Sequence, residues 1–171
     1  GEAATEPASQ LNREGHAKDK QVNHKTLYDG IFSHVQQENM LIFPNSRRRV
    51  EEIANALIRR VDRYRLPISI FAHHSSVEKD IRLEAEAFAK RPSGLFSICC
   101  TSTLELGIDI GAVDAVTQVE APHSSSSLAQ RMGRSGRGEH KDPTTGKLVR
   151  DPSKLHFYAT NDWSLLQGLA A

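Results

Sequence analysis

The sequence predicts an α/β fold in which a mostly parallel sheet carries helices on both faces. Three observations predict it. From residue 23 onwards, short apolar runs alternate with stretches of helical period, the order that builds a parallel sheet. The run Leu95–Cys100 is apolar except for Ser97, as in a strand covered on both faces. Polar clusters follow the ends of the apolar runs, which is where open parallel sheets place their chemistry.

Each element has its own warrant. Residues 1–22 are polar, rich in small residues and without apolar period, and read as a linker or disordered segment; the domain proper spans 23–171. Leu27, Ile31, Phe32 and Val35 give a helix from Asn23, which Gly30 weakens. Met40-Leu41-Ile42-Phe43 is a strand stopped by Pro44, and Asn45 and Ser46 form a turn and N-cap. Val50, Ile53, Ala54, Leu57, Ile58 and Val61 form a helical stripe, with Glu51 and Glu52 expected in its first turn. Ile68–Ala72 is a second strand ending at His73 and His74. Ser75 and Glu78 have capping-box spacing, ahead of a helix with an apolar face of Ile81, Ala85, Phe88 and Ala89. Val113–Val119 and Leu155–Ala159 complete the strands. Residues 139–153 form a charged loop or hairpin, and Asn161-Asp162 caps a final helix holding Trp163 and Leu165.

A chain of 171 residues can bury one real core. Its 22 basic and 21 acidic residues nearly cancel, so a surface for nucleic acid must be local. Cys99 and Cys100 are adjacent in an apolar run and read as buried reduced thiols. Without a long apolar span or a signal-like N-terminus, the reading is a soluble intracellular, cytoplasmic protein. His73 and His74 have no companion ligands at metal spacing, so no metal site is expected.

Chemistry concentrates in Gln130-Arg131-Met132-Gly133-Arg134-Ser135-Gly136-Arg137. On a continuous helix Gln130, Arg134 and Arg137 share a face, and a row of guanidinium forks suits a polyphosphate. An Arg-rich solvated helix ending at a glycine is the plainer alternative. Asn45-Ser46-Arg47, His74-Ser75 and Thr101-Ser102 follow successive strands and suit a sugar-phosphate backbone. Arg59, Arg60, Arg63 and Arg65 are equally explained as a solvated helix face. Beyond the third strand, Gly107 permits close backbone approach and Asp109 offers a carboxylate to ribose hydroxyls.

Three segments carry a family resemblance. LIFPNSRRRVEEIA resembles motif IV of superfamily-two helicases, CTSTLELGIDIGAVDAVTQVEAP resembles motif V, and SLAQRMGRSGRG resembles motif VI, in the right order from Met40 to Gly138. The wording is most similar to the large helicase-related (Lhr) group of ATP-dependent DNA helicases. The resemblance implies the second RecA-like domain of a helicase motor, a three-layer fold like that of P-loop NTPases. It implies that Arg134 and Arg137 are arginine fingers at the terminal phosphates of ATP, with Gln130, Arg131, Gly107 and Asp109 also at the nucleotide. Asn45, Ser46, Arg47, His74, Ser75, Thr101 and Ser102 would line the track of a single strand, with Gln130 favouring DNA over RNA. The sequence contains no G-x-x-x-x-G-K-[ST] loop of its own. The Mg²⁺ of ATP would therefore be held by the first RecA-like domain, and this chain alone should not hydrolyse ATP. The competing reading is a non-catalytic nucleic-acid-binding or protein-docking module with a RecA-like fold, whose arginines grip strand phosphates.

Overall fold

A computed structural model describes residues 24–101, 110, 113–136 and 139–160. The segment read as a linker, the helix expected from Asn161, and Ser102, Gly107, Asp109 and Arg137 lie outside the described residues.

The first helix, α1, covers 24–35 and turns Leu27, Ile31, Phe32 and Val35 inward. Gly30 is the weak point of that helix by propensity, and packing explains it. A Cβ there would stand 2.8 Å from Cε1 of Tyr158, so the glycine lets α1 lie against the last strand.

Strand β1 (Met40–Phe43) leads through Ser46 into helix α2 (Arg47–Arg63). The Ser46 hydroxyl caps α2 by accepting from Arg49 N at 3.2 Å. Val50, Ile53, Ala54, Leu57 and Val61 are buried as the stripe requires. Two expectations fail here. Ile58 is 37% exposed and Ala56 takes its place in the core. Because the helix begins at Arg47, no acidic residue lies in its first turn, and Glu51 and Glu52 fall one turn later. Three arginines thus open α2 at the end where the dipole disfavours cations. Glu52 offsets two of them, pairing with Arg48 at 3.0 Å and Arg49 at 2.9 Å.

Strand β2 (Ile68–His73) precedes helix α3 (Lys79–Lys90). Its N-cap is Glu78, which makes no side-chain capping bond, so Ser75 is not the cap its spacing suggests. The chain makes a separate turn over 74–78 first. Ala85 and Ala89 are buried, but Ile81, in the first turn of α3, is 47% exposed and lies outside the core. Strand β3 (Leu95–Cys100), strand β4 (Ala115–Val119), helix α4 (Ser125–Met132) and strand β7 (Leu155–Tyr158) follow. Between α4 and β7 a hairpin of β5 (Glu139–Lys141) and β6 (Leu148–Arg150) stands apart as its own antiparallel ladder.

The main sheet is parallel throughout in the order β2-β3-β1-β4-β7. Strand alternation divides the core into two layers. Met40, Ile42, Cys99, Ala115 and Val119 face α1 and α2, whereas Leu41, Phe43, Phe96, Ile98, Cys100 and Val116 lie on the α3 side. The result is the helix-sheet-helix arrangement expected from the sequence. Both cysteines are buried thiols that form no disulfide. No helix among the described residues is long and apolar enough to cross a membrane.

Candidate functional site

The parallel order brings the carboxyl ends of β2, β3, β1 and β4 to one edge, and the polar clusters converge there. Asn45 is exposed and donates through Nδ2 to the Ala121 carbonyl at 2.6 Å, tying the turn after β1 to the chain after β4. Arg47 reaches from the start of α2 to the Ser76 hydroxyl at 2.9 Å, joining the edges of β1 and β2. Thr101 continues that edge from β3, its backbone N–H bonded to the His73 carbonyl at 3.2 Å.

His74 takes a different position from the one its motif suggests. It is 5% exposed. Its Nδ1 accepts from Ser76 N at 3.1 Å, so Nε2 carries the proton towards Glu51 Oε1 at 2.5 Å. The imidazole therefore fastens the 74–76 turn to α2, and Ser75 and Ser76 are the exposed groups it presents. Neighbouring His73 is buried, its Nε2 2.7 Å from Glu86 of α3. Both histidines hold helices to this edge.

Helix α4 enters the same edge from β4. Ser124 caps it by accepting from Ser127 N at 3.2 Å, and its chain turns at Gly133, where the helix ends. The helix does not continue to Arg134, so Gln130 and Arg134 do not share a helical face. Arg134 instead lies in a turn, its N–H bonded to the Arg131 carbonyl at 3.1 Å and its carbonyl accepting from Val113 N at 3.3 Å. Ser135 then forms a parallel bridge with Val113. Gly136 follows at φ +66, and a Cβ there would meet Ser153 N at 2.6 Å and the Asp151 carbonyl at 2.7 Å. Only glycine fits both the conformation and the space. Gln130 is exposed and Arg134 partly so.

Arg131, which the motif places at the nucleotide, is instead turned inward and 4% exposed. Its Nη1 donates to Gln118 Oε1 at 2.5 Å, and its guanidinium carbon lies 4.8 Å from the centre of the Phe43 ring. Gln118 in turn donates to the Glu120 carbonyl at 2.9 Å. This clamp locks α4 to β4 and β1. Sequence reasoning missed Gln118, although a glutamine inside an apolar strand is the kind of buried polar residue that demands a partner.

A second polar cluster lies towards the opposite end of the sheet. His34 and His156 are stacked with ring centroids 3.7 Å apart and 18° between planes. Glu38 receives His156 Nε2 and Lys154 Nζ, each at 2.9 Å. Burial alone would raise the Glu38 carboxyl, but these two partners outweigh it and hold it below its ordinary value. Burial lowers His34, His156 adds to the effect and Glu38 opposes it. The donor atoms of His34, Glu38 and His156 all lie within 4.8 Å of one another. Stacked rings, however, aim their in-plane lone pairs side by side rather than at one point, and Lys154 already occupies the carboxylate.

A five-stranded parallel sheet flanked by helices, with its polar groups gathered at the strands' carboxyl ends, is a doubly wound α/β domain of the kind that RecA-like helicase C-terminal domains share. Residues 22–139 match the family described as Helicase conserved C-terminal domain, and this chain belongs to that family. It is 41% identical over 140 residues to the ATP-dependent helicase Lhr-Core of Sulfolobus acidocaldarius, covering 78% of this chain and 15% of that protein. Its identity to the protein of the same name from Methanothermobacter thermautotrophicus is 38%, over 72% of this chain and 14% of that one. The chain thus spans about a seventh of these relatives. The Mycobacterium smegmatis helicase Lhr, solved bound to ssDNA and AMP-PNP, superposes with a TM-score of 0.70 at 34% identity, covering 83% of this chain and 18% of that one. The C-terminal domain of the DEAD-box protein Dbp5 shares the fold, with a TM-score of 0.55 at 17% identity over 83% of this chain and 73% of that one.

Proposed function

We propose that this chain is the second motor domain of an ATP-dependent helicase that moves along single-stranded DNA, and that it works only against a first RecA-like domain. One observation carries the reading most: Asn45, Arg47, Ser75 and Thr101 collect at the strands' carboxyl ends, and α4 starts from that same edge at Ser124 and carries Gln130 along the sheet to the Arg134 turn beside Val113. A strand track and a phosphate-facing turn then move together as one rigid unit. The helicase of M. smegmatis that binds ssDNA and AMP-PNP supports both ligand classes.

In this reading Asn45, Ser46, Arg47, Ser75, Thr101 and Ser102 hold the sugar-phosphate backbone, which needs hydroxyls and cations but no base readout. His74 acts by positioning Ser75 and Ser76. Arg134 and Arg137 reach across the domain cleft to the terminal phosphates, where fixed guanidinium charge stabilises the charge that develops on transfer. Gln130 orients the phosphate or the attacking water, Gly107 and Asp109 hold the nucleoside, and Arg131 braces the helix that presents them. Bound ATP with Mg²⁺ supplies the hydrolysable phosphoryl group, its metal held by the first domain. Alternating closure and opening of the two domains would advance the strand.

The test is ATP hydrolysis by the full-length protein with and without single-stranded DNA, in wild type, Arg134→Ala and Arg137→Ala. Loss of DNA-stimulated turnover with strand binding retained supports the motor. Unchanged turnover with strand binding lost would establish the non-catalytic binding module instead.

A further inference from the structure

The C-terminal half of α2 and the outer face of α1 enclose a groove of about 640 Å³ that the motor reading leaves unused. Four cations line it, Lys25, Arg59, Arg60 and Arg63, against a single carboxylate, Asp29. Asp29 is committed to Arg60, bonded at 2.8 and 3.1 Å, and Arg60 is further fixed 5.6 Å from the centre of the Tyr28 ring. Among the described residues no ion pair engages Lys25, Arg59 or Arg63. The groove is therefore net positive, and its positive charge is not neutralised internally.

It also has an aromatic platform. Tyr64 stacks one face on Phe32, with centroids 6.0 Å apart and 22° between planes, yet remains 60% exposed. An exposed tyrosine at the end of a helix, backed by a buried phenylalanine, gives a rigid flat surface with an open side. Cations beside an open aromatic face match the two demands of an unpaired nucleic-acid strand, phosphate neutralisation and base stacking.

We propose that this groove is a second binding site for single-stranded nucleic acid, separate from the track at the strands' carboxyl ends. The separation follows from α2 itself. Its N-cap lies at the track and its seventeen residues carry Arg63 about 25 Å away, at 1.5 Å rise per residue. A strand in the groove is outside the motor, held either before entry or after exit. The stripe of α2 that faces solvent is thus a ligand surface, and the arginines at its far end have a partner outside the chain. The proposal rests on the nucleic-acid reading given above and extends it.

The experiment uses the full-length protein, fluorescence anisotropy with labelled oligothymidylates of two lengths, one filling only the motor track and one long enough to reach the groove, and a duplex of the greater length. Variants are Arg59→Glu with Arg63→Glu, and Tyr64→Ala, with melting curves to check folding. For the long single strand, the double charge reversal should weaken binding about tenfold or more and flatten the salt dependence by roughly 0.7 for each phosphate no longer neutralised. Tyr64→Ala should weaken it roughly tenfold by removing the stacking surface. The short strand should bind as before, and ATP turnover at saturating short strand should be unchanged. Equal affinity and salt slope in all variants overturns the proposal. So does loss confined to the duplex with Tyr64→Ala silent, which would assign the groove to paired nucleic acid. A drop in melting temperature with strand binding intact also overturns it, because the groove would then be covered by another part of the protein. If Arg134→Ala leaves turnover intact the motor reading fails, whereas a silent groove variant beside a dead Arg134→Ala fails the groove alone.

Discussion

Arg131 and Gln118 meet inside the protein at 2.5 Å, and the same guanidinium lies over the Phe43 ring at 4.8 Å. Three elements that share no sequence neighbourhood are joined by this one side chain. Arg131→Ala would leave the 0% exposed Gln118 oxygen without its donor and take the cation away from the ring. An unsatisfied buried acceptor and the loss of a desolvated cation–π attraction together predict a destabilisation of about 3 kcal/mol. Urea unfolding of the chain measures it, and a change within about 0.5 kcal/mol would show that the clamp is not stabilising.

Gly136→Ala is expected to be worse than its single methyl suggests. The φ of +66 costs a side chain about 1 kcal/mol, and the Cβ would collide with the backbone at Ser153 and Asp151. Neither neighbour can rotate away. The turn carrying Arg134 should shift, lowering stability by about 2 kcal/mol. In the full-length protein ATP turnover should fall more than strand affinity does. A fully active Gly136→Ala protein would show that the turn tolerates displacement.

The start of α2 separates a capping contribution to stability from a charge contribution to binding. Ser46→Ala should cost about 1 kcal/mol, the usual value for an N-cap. Arg47→Ala lies one residue on but is exposed, bonded to the hydroxyl of exposed Ser76, and should change stability by less than about 0.5 kcal/mol. It should nevertheless lower the salt slope of strand binding by about one phosphate's worth. A salt slope unchanged in Arg47→Ala would argue against a phosphate role for Arg47.

The His34, Glu38 and His156 cluster gives the protein an acid response in two limbs. His34 binds its proton less tightly when folded than its ordinary 6.5, so the unfolded chain holds more protons just below pH 6.5. Stability is complete above that pH and falls as pH drops through the window. Glu38 is held below its ordinary 4.5, so its contribution is present above 4.5 and disappears as pH falls through its folded value. Lys154 and His156 face Glu38, and His156 faces His34. In urea titrations from about pH 7 to about pH 4, His34→Gln should flatten the upper limb while the lower one persists. A pH profile unaltered by that substitution would assign the upper limb to other histidines.

The cysteines offer a probe of global opening. Burial, with a smaller push from Glu51, raises the Cys99 thiol far above its ordinary range. Thiolate is the reactive form, so alkylation at neutral pH should proceed only as fast as the core opens. Rapid labelling of the native protein would mean that β3 is exposed far more often than a central strand should be.

The sequence by itself determined the sheet, since period and polarity are local. The limits Met40–Phe43 and Leu95–Cys100 are visible as apolar runs bounded by Pro44, Gly94 and Thr101, and the stripes of α1 and α2 follow from side-chain spacing alone. It also marked the polar groups at the strand ends, because hydroxyls and cations after strands have a positional meaning in parallel sheets. What it could not determine was which of those groups point inward. His74 and Arg131 look like ligand residues in the chain, but Glu51 lies 23 residues before His74 and Gln118 lies 13 before Arg131. The same distance in sequence hid the break after Met132, where the bridge of Ser135 to Val113 ends the helix that arginine spacing would continue. The pairing of Tyr64 with Phe32 and of His34 with His156 arose only when α1 was laid against α2 and β7. Periodicity fixes which side of an element is buried; the partner that satisfies a buried charge is chosen by packing, and only the tertiary structure decided that.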